Sequence, residues 1–135
     1  MLVQGRHAPL TKTFIARAVH TVLRRERREA LVSLSFIGRD RMRAINARWT
    51  RRQEPTDVLA FALVDPHGAL TGDIYVCRSV AEREARSRRI PLRQELTRLV
   101  VHGVLHVLGY DHPAGPEREA SAMWRRQERY VRMLR

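Results

Sequence analysis

Residues 99–112, Leu99-Val100-Val101-His102-Gly103-Val104-Leu105-His106-Val107-Leu108-Gly109-Tyr110-Asp111-His112, decide how this chain is to be read. From Leu99 to Leu108 a helix would be apolar on every side except at its two histidines, so the segment is expected to be a buried helix. His102 and His106 are four apart and lie on one face a turn from each other, so both rings can reach one ion about 2.0–2.1 Å away. Gly109 can take a positive φ and end the helix, letting Tyr110 and Asp111 turn back and bring His112 in from the side. A histidine pair at this spacing is by itself an ordinary occurrence. Here burial changes the reading, because an imidazole inside an apolar helix needs a partner for its nitrogens and a metal satisfies both rings at once. Three protein ligands leave one tetrahedral position open, the arrangement of a catalytic rather than a structural zinc.

Working outward, 135 residues suffice for one domain and one core, so a single domain spanning 1–135 with one active site is expected. The single cysteine, Cys77, cannot form an internal disulfide and reads as a small buried apolar residue in a cytoplasmic protein. The start, Met1 to His7, lacks the apolar centre of a signal peptide, and no run approaches the ~20 apolar residues of a membrane span, so no membrane partner is expected. The net charge of +12 favours a polyanion such as RNA or DNA. Lys12 is the only lysine, but the arginine preference has a codon-bias explanation as good as a functional one.

Along the chain, a short N-terminal segment reads as an edge strand. Phe14, Ile15, Ala18, Val19, Val22 and Leu23 fall at helical spacing before the basic run Arg24-Arg25-Glu26-Arg27-Arg28. Leu31–Ile37 alternates as a strand with Val32, Leu34 and Phe36 on one face. Asp40 is placed to cap a second helix with Met42, Ile45 and Trp49 on one stripe, and Pro55 ends the polar link after it. Val58–Leu63 reads as a buried strand, Asp65-Pro66-His67-Gly68 as a turn, and Gly72–Cys77 as a further strand. Ser79 and Glu82 have capping-box spacing for a helix running to about Arg89. Ile90-Pro91 then restarts a helix bearing Leu92, Leu96, Leu99, Val100, Gly103 and Val107 on one stripe, with the histidine pair near its end. A last helix from about Glu117 is expected to bury Ala120, Met123, Trp124, Gln127 and Val131. The pattern is α+β, a small mixed sheet covered by helices.

The spacing His-x3-His-x2-Gly-x2-His resembles that of the metzincin zinc peptidases, which makes the metal helix zincin-like. In those peptidases glutamate follows the first histidine as general base. Gly103 stands there instead, so the peptidase reading falls. The longer string from His102 to His112 closely resembles the signature of the YbeY family of rRNA maturation endoribonucleases. Ile45-Asn46, Trp49 and Pro55-Thr56-Asp57-Val58-Leu59-Ala60-Phe61 are similar to that family's second motif, and Gly72-Asp73-Ile74 to its third. The resemblance covers about Leu31 to Trp124. It implies one zinc per chain on His102, His106 and His112, and a single-strand-specific, metal-dependent endoribonuclease. It further implies action in 16S rRNA 3′-end maturation and ribosome quality control, with single-stranded RNA, 16S rRNA and the small ribosomal subunit as partners and no DNA. Family members usually carry arginine after the aromatic at 49, where this chain has Thr50. Arg48, Arg51 or Arg52 is then the candidate to supply the charge, each also readable as a solvated surface residue.

Zinc lowers the pKa of bound water to near 7 without a strong neighbouring base, which answers the missing glutamate. Asp111 is the candidate to orient a ligand imidazole or guide water, its plainer role being to cap the turn. The candidate catalytic set is therefore Asp111, Arg48 and Arg51. Asp57 and Asp73 are expected to fix loops near the site by Asx-type hydrogen bonds. Arg24 to Arg28 and Arg86, Arg88 and Arg89 are candidate phosphate contacts, or solvated faces. The residues leave open whether water or the RNA 2′-hydroxyl attacks. They also leave open a second reading, a zinc-stabilised rRNA-binding assembly factor with little hydrolytic activity.

Overall fold

The structure is a computed structural model and describes residues 2–4, 10–50, 57–112 and 115–135. In chain order the elements are β1 (Leu2–Gln4), α1 (Lys12–Glu26), β2 (Leu31–Ile37), α2 (Arg39–Thr50), β3 (Val58–Val64), β4 (Leu70–Cys77), α3 (Arg78–Arg88), α4 (Leu92–Val107), a 3₁₀ segment (Gly115–Ala120) and α5 (Ala122–Met133). The strands form one mixed sheet in the order β1-β2-β4-β3, with β1–β2 and β2–β4 parallel and β3–β4 antiparallel. This is the expected α+β architecture. The turn at Asp65–Gly68 makes the one antiparallel pairing, with Asp65 Oδ1 accepting from the amides of His67 (2.8 Å) and Ala69 (2.9 Å).

Alternation in the strands sorts residues to two faces. Val32, Leu34 and Phe36 pair with Gly72, Ile74 and Val76, and all of these point to the side where α1, α4 and α5 pack. On the other face Ile37 and Cys77 join Met42 of α2 and Val80 of α3 in a smaller cluster, so Cys77 is the buried apolar residue expected. Helix α4 is the hub. It packs on α1, α3, α5, β3 and β4, and Leu96 to Leu105 is buried all round, Thr97, Arg98 and His102 included. Two glycines let it settle on the sheet. A Cβ on Gly103 would lie 2.7 Å from Ile74 Cγ2, and one on Gly72 would lie 2.5 Å from Val107 Cγ2.

Several local expectations are corrected. Asp40 does not cap α2. It lies inside the first turn and pairs with Arg43 at 3.6 Å on the surface, while the Gly38 carbonyl accepts the Met42 amide at 3.0 Å. Trp49 leaves the core stripe at 63 % exposure, against 0 % for Met42, with its ring centre 5.9 Å from that of Phe61 on β3. The run Val58–Val64 is an edge strand, half-buried and then exposed, with Leu63 at 70 %. An apolar run does not by itself distinguish a central strand from an edge. Ser79 and Glu82 form no capping box: α3 starts at Arg78 after Cys77 without a side-chain cap, and Glu82 accepts from Arg78 at 2.8 Å. Pro91 stands just before α4, as its N-cap. α5 begins only at Ala122, capped by Ser121, which leaves Ala120 exposed in the 3₁₀ segment. Pro55 lies outside the described residues.

Candidate metal centre

The three histidines converge. One ring nitrogen from each of His102, His106 and His112 lies within 4.8 Å of the others, with ring centroids 4.5, 5.0 and 5.1 Å apart. Local chain geometry produces this. α4 puts His102 and His106 one turn apart; Gly109 takes φ +100, and the Gly109 and Tyr110 amides donate to the His106 (2.9 Å) and Leu105 (3.0 Å) carbonyls, closing the helix. The chain then reverses and delivers His112. Bonds of about 2.0–2.1 Å at tetrahedral angles hold ligand nitrogens roughly 3.3 Å apart, so a small inward rotation of the rings suits zinc. Among the described residues no fourth His, Cys, Asp or Glu joins the group.

Two of the three imidazoles are pushed toward the neutral form that a metal needs. Burial, and then the charge of His106, push His102 down to about 3, against which its hydrogen bond to Gln127 works. Burial and His112 likewise lower His106. His102 is 4 % exposed, while His106 and His112 are half-buried, so the triad is closed toward the core and open toward solvent.

The partner that orients His102 is Gln127 of α5, whose Oε1 lies 2.6 Å from His102 Nδ1 and accepts its proton, which would leave Nε2 for a metal. Gln127 is 0 % exposed, and its amide donates to Glu128 at 3.1 Å. Glu128 in turn receives two hydrogen bonds from Arg98, at 2.8 and 2.7 Å, and Arg98 reaches Glu95 at 2.8 Å. This chain of charges braces α5 against α4 behind the site. Sequence reading placed Gln127 on the buried stripe of the last helix without a role. The signal was there, since a glutamine among buried apolar positions must find partners. Arg118 was missed as well: its charge acts on both His102 and His106, and its Nε is buried with no hydrogen-bond partner among the described residues.

The remaining candidates are placed as follows. Asp111 is exposed and its Oδ1 accepts the His112 backbone amide at 2.8 Å, which tightens the turn. Arg48 is exposed on α2 with its guanidinium 5.4 Å from the Trp49 ring centre, and Arg51 and Arg52 lie outside the described residues. Asp57 precedes β3; burial raises its pKa, with the charge of Arg118 working against that. Among the described residues Asp73 fixes no loop: it stands within β4, exposed, and accepts from the Ser33 hydroxyl across the sheet. Arg24, Arg25 and Arg27 are exposed at the end of α1, while Arg28 donates to the Leu108 carbonyl at 3.4 Å, tying the basic run to the metal turn. Arg88 is occupied internally, 3.8 Å from Glu95 and 3.3 Å from Glu119, and so is not a free phosphate contact. At position 103 the close approach of Ile74 leaves no room for the general base of a peptidase.

The profile of the family described as Endoribonuclease YbeY matches residues 5–135. A curated Endoribonuclease YbeY of Anaeromyxobacter sp. is 42 % identical over 98 residues, which is 70 % of this chain and 51 % of that protein, so the alignment spans about half of that relative's length. The protein of the same name from Persephonella marina is 30 % identical over 131 residues, covering 93 % of this chain and 85 % of its own. The solution structure of TM1509 from Thermotoga maritima superposes with a TM-score of 0.67 at 28 % identity, over 98 % of this chain and 87 % of that one. No helix among the described residues is long and apolar enough to cross a membrane.

Proposed function

This chain belongs to the Endoribonuclease YbeY family, and we propose that it is a zinc-dependent endoribonuclease cutting single-stranded RNA, acting in 16S rRNA 3′-end maturation and ribosome quality control with the small ribosomal subunit. The observation that carries this reading is the convergence of His102, His106 and His112 within 4.8 Å, open to solvent on one side. A divalent ion held there would act as a Lewis acid toward water and toward a phosphoryl oxygen. The chain's own contribution is to present three imidazoles, two of them with pKa values lowered chiefly by burial, and to fix His102 in one tautomer through Gln127. Phosphate charge would be met by arginine, and Arg48, Arg51 and Arg118 are the candidates. Asp111 holds the turn of His112 and would aid the site through that ligand. The net charge of +12 draws the polyanion in. The cytoplasm is the proposed compartment and neither DNA nor membrane a proposed partner.

The test compares purified native protein, His112→Ala and a chelated sample on single-stranded and double-stranded RNA. Cleavage of the single strand, lost in both treated samples, is expected. Products ending in 2′,3′-cyclic phosphate would identify the 2′-hydroxyl as nucleophile. A second reading, a zinc-stabilised rRNA-binding assembly factor, is favoured by Thr50 standing where the family carries arginine and by Arg48 resting on Trp49. RNA binding without metal-dependent cleavage would establish it.

A further inference from the structure

Glu26 closes α1 as the single acid in a run of four arginines, at a helix C-terminus, where the macrodipole disfavours a carboxylate. Its side chain is 7 % exposed. A group placed against local preference and out of water needs compensation, and three donors supply it. The Tyr110 hydroxyl donates to Oε1, the Tyr130 hydroxyl to Oε2, and Arg126 Nη1 reaches Oε2 at 3.0 Å and Oε1 at 3.3 Å. Burial works to raise the Glu26 pKa, but these hydrogen bonds outweigh it and hold the carboxyl below its ordinary value. The Arg126 guanidinium also sits 4.9 Å from the centre of the Tyr110 ring.

The donors are not equivalent. Tyr130 and Arg126 belong to α5, a regular helix already packed on α4. Tyr110 lies in the turn between Gly109 and His112, the segment that must reverse to deliver the third ligand. Beyond the helix-closing amide bond to Leu105, the ties of this turn to the rest of the fold include Tyr110 to Glu26 and the Leu108 carbonyl to Arg28, both on the basic end of α1. We propose that Glu26 is a positioning residue of the metal centre: through Tyr110 it fixes the turn that carries His112 and so sets the affinity for a divalent ion it does not touch. The inference rests on the reading of the triad as a metal site. A ligand delivered by an unpinned turn must be ordered when the ion binds, and that ordering is subtracted from the binding free energy.

Tyr110→Phe and Tyr130→Phe each remove one hydroxyl donor from the same carboxylate, and only the first lies in the metal turn. Zinc affinity of the full chain would be measured by competition with a chromophoric chelator, and metal-free stability by denaturant midpoint, for both variants, for Glu26→Gln and for native protein. Both tyrosine variants are expected to lose similar stability, whereas Tyr110→Phe and Glu26→Gln bind zinc about 10-fold more weakly and Tyr130→Phe binds as the native chain does. Equal zinc affinity in Tyr110→Phe and Tyr130→Phe would overturn the proposal, leaving Glu26 a purely structural anchor, and this comparison stands even if Glu26→Gln fails to fold. Failure of the native chain to bind zinc would instead remove the metal reading itself, and the proposal with it.

Discussion

The contact between Gly72 and Val107 ties the sheet to the metal helix closely enough to be tested by one methyl group. In Gly72→Ala the new Cβ would stand 2.5 Å from Val107 Cγ2, 2.6 Å from Cγ1 and 3.1 Å from Cβ. Carbon atoms pack at about 3.5–4.0 Å, so roughly 1 Å must open between β4 and the last turn of α4. Val107 is β-branched and held to one rotamer in a helix, so it cannot swing aside; the helix end must lift. That end carries His106 and leads into the turn of His112. Overpacking of this kind costs about 1–3 kcal/mol, and the lower unfolded-state entropy of alanine returns about 0.4–1 kcal/mol. The expected net loss is about 1–2 kcal/mol, read as a fall in Tm of roughly 3–10 °C for the metal-free protein. Zinc affinity should fall with it. Val107→Ala removes both clashing carbons, so in a double-mutant cycle Gly72→Ala should be less harmful on that background, by about 1 kcal/mol or more. Unchanged stability and zinc affinity in Gly72→Ala, or strict additivity in the cycle, would refute the account of how α4 is seated.

Gln127→Leu strands the His102 Nδ1 proton in the core and frees the ring to turn; zinc affinity measured by chelator competition should drop about 10- to 100-fold, and no drop would mean that Gln127 does not orient the ligand. His102 has a folded pKa of about 3 against an ordinary 6.5, so below 6.5 the unfolded chain takes up a proton that the folded chain refuses. Stability of chelated protein is therefore full above that value and falls as pH drops toward 3, with a contribution to the slope of up to about 1.4 kcal/mol per pH unit. Denaturant titrations across this window should show a flatter dependence for His102→Leu, and coincident slopes would count against the burial account. For RNA binding, Arg24→Gln should lower the log-log salt slope by about 1, because Arg24 is exposed. Arg88→Gln should leave it unchanged, since that side chain already serves Glu95 and Glu119; an equal effect of the two would show that Arg88 reaches phosphate.

Much of the candidate centre is legible in the sequence because its information is local. The i, i+4 pair, the glycine that ends the helix and the third histidine three residues beyond it lie in one short segment, and backbone geometry carries them to one point. The burial of α4 was legible for the same kind of reason, since a helix apolar all round has nowhere to lie but inside, whereas its packing on five other elements was not. The errors fell where two distant segments decide the outcome. Val58–Val64 has the composition of a central strand and is an edge strand, and Trp49 keeps the helical stripe of Met42 yet is largely exposed, because what packs over each is not written in the segment itself.

The surroundings of the triad follow the same division. Sequence alone determined the three converging histidines, the helix that bears two of them, the α+β class and the basic charge, all properties of periodicity, residue type and short-range turn geometry. Tertiary structure decided which groups stand behind the ligands: Gln127 on His102 across 25 positions, Glu26 on Tyr110 across 84, and Ile74 against Gly103. Such pairings depend on how helices cross one another and the sheet. A crossing is set by the shape of the whole packed interior, which no single stretch of chain contains.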